Sequence, residues 1–120
     1  MRLARLALDA ALDVDGVLAA DAGPRGLVVT RDGTALLRGV LVAAEAGRRY
    51  SVDLGLRVRL VPLPALAEAV RARVARNARL GGVGDLLGAV TVTVQDVVDD
   101  DELAAAGLVA MPAPVSPEVA

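Results

Sequence analysis

A chain of 120 residues with a formal net charge of −2 and a hydrophobic share of 55% is the size of one domain, and it is long enough to bury a core without a metal or disulfide staple. It has no cysteine and no histidine, and every basic residue is arginine. That composition excludes disulfides, thiolate and imidazole metal sites, nucleophile–histidine catalysis, Schiff-base lysines and the lysine of a phosphate loop.

The opening "MRLARLALDAALD" begins like a signal peptide, but Asp9 and Asp13 interrupt its apolar run. No apolar segment approaches the length of a membrane span. The sequence therefore predicts a cytoplasmic chain whose contact with a membrane, at its inner face, requires a partner. Leu3, Leu6, Ala7, Ala10 and Ala11 fall on one helical stripe, widened by Leu8 and Leu12. Asp15-Gly16 ends that helix, "GVLAA" (16–20) has the composition of a short strand, and "DAGPRG" (21–26) is a loop.

From Leu27 the period changes. "LVVTR" runs into Asp32-Gly33, a two-residue hairpin signal, and "TALLRGVLVAA" (34–44) is the predicted return strand. After the turn "EAGRR", Tyr50, Val52, Leu54, Leu56, Val58 and Leu60 alternate with Ser51, Asp53, Gly55, Arg57 and Arg59, so one face is buried and the other wet. These segments predict an antiparallel meander.

"VPLP" (61–64) stops the third strand, and a helix is predicted from Pro64 to about Arg79, with Leu66, Val70 and Val74, flanked by Ala67 and Ala78, on its apolar face. Gly81 and Gly82 end it. "AVTVTVQDV" (89–97) alternates again, with Val90, Val92 and Val94 on one side and Thr91, Thr93 and Gln95 on the other. The predicted fold is α+β, a two-layer domain with a largely antiparallel sheet of about four strands and two helices packed on one face, in the order α-β-β-β-α-β. It occupies residues 1–98. Residues 99–120 read as an acidic cap, "DDDE", followed by a Pro/Ala-rich flexible tail.

Two stretches invite a chemical reading. Arg71, Arg73, Arg76 and Arg79 form the candidate anion or partner surface, with Arg73, Arg76 and Arg79 expected opposite the apolar face and Arg71 at its border. Such a row suits phosphate contact, but base stacking needs aromatic rings and Tyr50 is the only one in the chain. The acidic balance also argues against nucleic acid as a partner. "GGVGD" (81–85) closes a helix instead of opening one, so it lacks the amide geometry of a phosphate site. Asp53 and Arg57 share a wet face as an exposed pair or as separate solvated groups. The acids at 99–102 lack the spacing of a calcium loop and fit a helix cap, with Glu102 three residues after Asp99. The "DVDGV" turn faintly suggests a ferredoxin-like metal-handling domain, and the absence of cysteine and histidine argues against it. Ser51 and Ser116 are the only serines. No catalytic, cofactor-binding or metal-binding residue is assigned, and no cofactor is expected.

The helix "LPALAEAVRARVARNA" followed by "AVTVTVQDV" resembles the alkaline shock protein family, the bacterial envelope stress response family. The resemblance lies in a "VRARV"-like helix centre and in the pattern of Val90, Val92, Val94, Asp96 and Val97. "LALDAALDVDGV" resembles the family's opening helix and turn, with Asp15 where a proline is common, and "YSVDLGLRVRLV" resembles its central strand. The resemblance covers roughly residues 3–98. It implies a non-enzymatic scaffold that self-associates and is held at the inner face of the membrane by a small integral membrane anchor. The reading from another class is a weak nucleic-acid or anionic-surface binder using the arginine row. An exposed edge strand, 27–31 or 89–97, is the expected means of self-association.

Overall fold

A computed structural model describes residues 2–99 and 101. Helix α1 (Arg2–Leu12) buries Leu3, Ala4, Ala7, Ala10 and Ala11. Four of these five are alanines, so α1 can lie close to its neighbours. Leu12, predicted to widen the stripe, is exposed. Five strands follow: β1 (Val17–Ala20), β2 (Val29–Asp32), β3 (Ala35–Arg38), β4 (Val40–Glu45) and β5 (Arg49–Arg59). Helix α2 (Leu63–Leu80), a single 3-10 turn (Gly84–Leu86) and β6 (Leu87–Val98) complete the fold.

Strand β5 is the centre of a four-stranded sheet. Its alternation holds through Arg59: Val52, Leu54, Leu56 and Val58 are fully buried against the helices, whereas Arg57 and Arg59 face water; Leu60, predicted on the buried face, lies just past the end of the strand and is 69% exposed. Burying each of these side chains stabilises the fold by roughly 1.5–3 kcal/mol relative to exposure. Along one edge of β5 runs β6, in parallel. Along the other, β4 pairs with the first half of β5 and β1 with the second, both antiparallel.

The handover between β4 and β1 occurs at Gly55. Its N–H donates to the Gly39 carbonyl oxygen at 2.9 Å, and its own carbonyl accepts from the Asp21 amide at 2.8 Å. A β-carbon on Gly55 would collide with the Asp21 carbonyl oxygen, and one on Gly39 would meet the side chain of Ala20. Gly39 also has φ +89°, in the left-handed region that glycine alone enters freely.

The architecture is α+β with helices on a sheet, as the patterning predicts, but the strand connections differ. The expected return strand 34–44 breaks at Gly39. Its first half, β3, pairs only with β2 in a separate two-stranded ribbon, and its second half, β4, joins the main sheet. The hairpin turn is Gly33-Thr34, because Asp32 pairs with Ala35. The order is therefore α-β-β-β-β-β-α-β. The sheet is antiparallel on one edge of β5 and parallel on the other, because α2 carries the chain back before β6 enters, which is how parallel neighbours are connected.

Helix α2 starts one residue before Pro64 and buries Leu66, Val70, Val74 and Ala78. Its end is closed by the Gly81 amide on the Asn77 carbonyl at 2.8 Å. Among the described residues no helix is long and apolar enough to cross a membrane. The proposed tail, and the acidic cap apart from Asp99 and Asp101, lie outside the described residues.

Candidate interaction surface

The outer edge of β6 is the longest unpartnered stretch of strand backbone among the described residues: 12 residues pair only with β5. Its geometry follows from Gly55. Because Gly55 turns its N–H and C=O toward β4 and β1, Val52, Leu54 and Leu56 turn theirs toward β6. In the parallel ladder, Thr91 and Thr93 then bond inward to β5, while Val90, Val92 and Val94 present their N–H and C=O groups outward. Their side chains are half-buried and pack against the core, as does Tyr50. The threonine side chains stand on the wet face, exposed. No charged residue occurs from Leu87 to Gln95.

The opposite edge is treated differently. The Thr30 hydroxyl donates to the Val40 carbonyl at 2.8 Å and accepts from the Val42 amide at 3.1 Å. One side chain of β2 thereby satisfies two backbone groups on the outer edge of β4. The segment 27–31, the other predicted edge, is committed through β2 to β3 and through Thr30 to β4.

The four arginines of α2 do not act as one row. Arg71 reaches across to the sheet, its Nε donating to the Val90 carbonyl at 3.3 Å while its terminal nitrogen meets Glu68 at 3.3 Å. Arg73 is half-buried and bonds the Asp13 carboxylate just beyond α1. It lies on the opposite border of the buried face, and not on the far side of the helix as its spacing from Arg76 and Arg79 suggested. Only Arg76 and Arg79 are exposed with no ion pair among the described residues.

The carboxylates are similarly dispersed. Arg57 pairs across strands with Asp96 at 3.1 Å, not with Asp53. Arg5 pairs with Asp32 at 3.1 Å and ties α1 to the β2–β3 ribbon. Among the described residues no group of three acidic side chains gathers as metal ligands. A shallow groove lined by Arg2, Arg5, Leu6, Asp9 and Asn77 runs between the helices. Arg2 is partly committed there, donating to the Gly81 carbonyl at 2.6 Å.

Compared with known proteins, the chain matches no family model, no curated protein and no solved structure. The resemblance to the alkaline shock proteins rests on the sequence patterns alone. What sequence reasoning missed is the three-segment junction at Gly39, Gly55 and Asp21. Its one available signal was a glycine in each of two strand patterns, which marks a bulge or a close backbone approach.

Proposed function

We propose that this chain is a non-enzymatic interaction protein of the envelope-stress type, which self-associates and is recruited to the inner face of the membrane by a small membrane-anchor protein. The observation that carries this reading is the outer edge of β6: a long strand, uncharged from Leu87 to Gln95, with outward N–H and C=O groups is a template for another chain. The resemblance in the α2 and β6 segments supports the same class. Sedimentation of the purified protein over a wide concentration range, with a native pull-down from gently solubilised membranes, tests it. Self-association, or recovery of a small integral membrane protein unaffected by nuclease, is the expected result. A protein that stays monomeric and recovers no membrane partner overturns the reading.

The exposed, unpaired Arg76 and Arg79 favour a second reading, a weak anionic-surface or nucleic-acid binder. Binding would then fall steeply with salt and vanish when both are reversed to glutamate. Arg71 and Arg73 contribute less to such a surface because both are engaged within the fold.

A further inference from the structure

We infer that two copies of this chain join through β6, edge to edge and antiparallel, about a two-fold axis at Val92. The inference rests on the self-association reading above and specifies the surface and the register. Residues 90–94 read Val-Thr-Val-Thr-Val, the same in both directions. Under a two-fold axis at Val92, that residue faces the partner's Val92, Val90 faces the partner's Val94, and Thr91 faces the partner's Thr93. The parity is right as well as the chemistry. Val90, Val92 and Val94 are the residues whose backbone groups point outward, so they meet their own kind as hydrogen-bonded pairs. The alternative parity would set inward-bonded residues against outward ones and close no ladder.

Each face of the joined sheet is continuous. The half-buried valines meet on the helix side and extend the apolar layer. The exposed threonines meet on the wet side. No charges oppose each other from Ala89 to Gln95; Asp96 falls opposite the partner's Gly88, over which that copy's Glu45 carboxylate lies, and Asp96 is already paired with Arg57 of its own chain. Arg71 does not obstruct the ladder: a carbonyl has two lone pairs, so Val90 can keep Arg71 and still accept the partner's Val94 amide. The pairing uses the same edge on both copies, which closes the assembly as a dimer. Thr30 already occupies backbone groups on the outer edge of β4, so growth into a ribbon is not invited there.

The test is a pair of double substitutions at exposed threonines, measured on the full chain by sedimentation. T91R/T93R sets like charges opposite each other at the two non-hydrogen-bonded positions, where facing side chains stand closest. T91R/T93D sets opposite charges there. Asp53 stands beside Thr91 and Gly55 beside Thr93, so the T91R change shared by both variants sits next to a carboxylate within the monomer. The expected result is that T91R/T93R weakens the dimer ~100-fold or more, while T91R/T93D keeps it. Unchanged thermal unfolding of the monomer in both confirms an intact fold. Equal self-association of the wild type and T91R/T93R overturns the β6 pairing and leaves self-association standing. Equal loss in both variants overturns the register. A monomeric wild type that still recovers a membrane anchor overturns the pairing but not the adaptor reading; a monomeric wild type that recovers nothing overturns both.

Discussion

The Gly55 amide donates to the Gly39 carbonyl oxygen at 2.9 Å, and these two glycines hold the point where one edge of β5 passes from β4 to β1. Neither has room for a side chain. An alanine at Gly55 would press on the backbone oxygen of Asp21, which has no rotamer to yield. Gly55→Ala is expected to destabilise the protein by about 3 kcal/mol, the upper range of overpacking, as a lower urea midpoint with little change in slope. A midpoint within error of wild type would show that the junction is looser than described.

Thr30 is a second point of closure. Replacing it with valine keeps the shape and removes both hydrogen bonds to β4. Thr30→Val is expected to cost about 1–2 kcal/mol, with Thr30→Ser recovering most of it. A Thr30→Val variant as stable as wild type beside a destabilised Thr30→Ser would assign the effect to packing of the methyl group and not to the hydroxyl.

The alanine face of α1 makes a size-dependent prediction. Ala7 and Ala10 are fully buried, and α1 packs against α2 and the sheet through them. Ala7→Leu or Ala10→Leu is expected to lower stability by about 1–3 kcal/mol. Leu12→Ala, at a residue 43% exposed, should stay within about 0.5 kcal/mol of wild type. Thermal unfolding of the three variants side by side checks the contrast.

Arg73 and Asp13 tie the C-terminal end of α1 to the middle of α2. The pair is partly exposed, so Arg73→Ala should cost only about 0.5–1 kcal/mol. Salt screens such pairs, and the gap between variant and wild type should narrow in molar sodium chloride. A gap that is unchanged by salt would mean that the arginine stem, not its charge, supplies the contact.

The sheet's centre and both helices were legible because their apolar periods are long and clean: Tyr50 to Leu60 reads as a strand and Leu66 to Ala78 as a helix face without reference to anything else. The break at Gly39 was not legible. Arg38-Gly39 is only a short interruption between Leu36-Leu37 and Val40-Leu41, and it is the close approach of Ala20 and Asp21, distant in sequence, that forces the chain to change sheets there. The parallel entry of β6 depends on where α2 returns the chain, which no local pattern carries. The arginine row was legible as a set of charges but not as separate contacts. A spacing of three along a helix says which residues are neighbours. It does not say that Asp13 and the Val90 carbonyl wait on either side.

The central position of β5 has a consequence for how the chain is made. Strands β1 and β4 precede β5 in the sequence, whereas β6 follows it after α2. A ribosome delivers about forty residues between the last residue of β5 and the last of β6, which takes roughly two to eight seconds at ~5–20 residues per second. During that interval the flank of β5 that β6 will occupy has no strand partner in the chain already made, while β1 and β4 are both available for its other flank. The order of synthesis thus makes the parallel half of the sheet the last to close, because it waits for α2 and then β6.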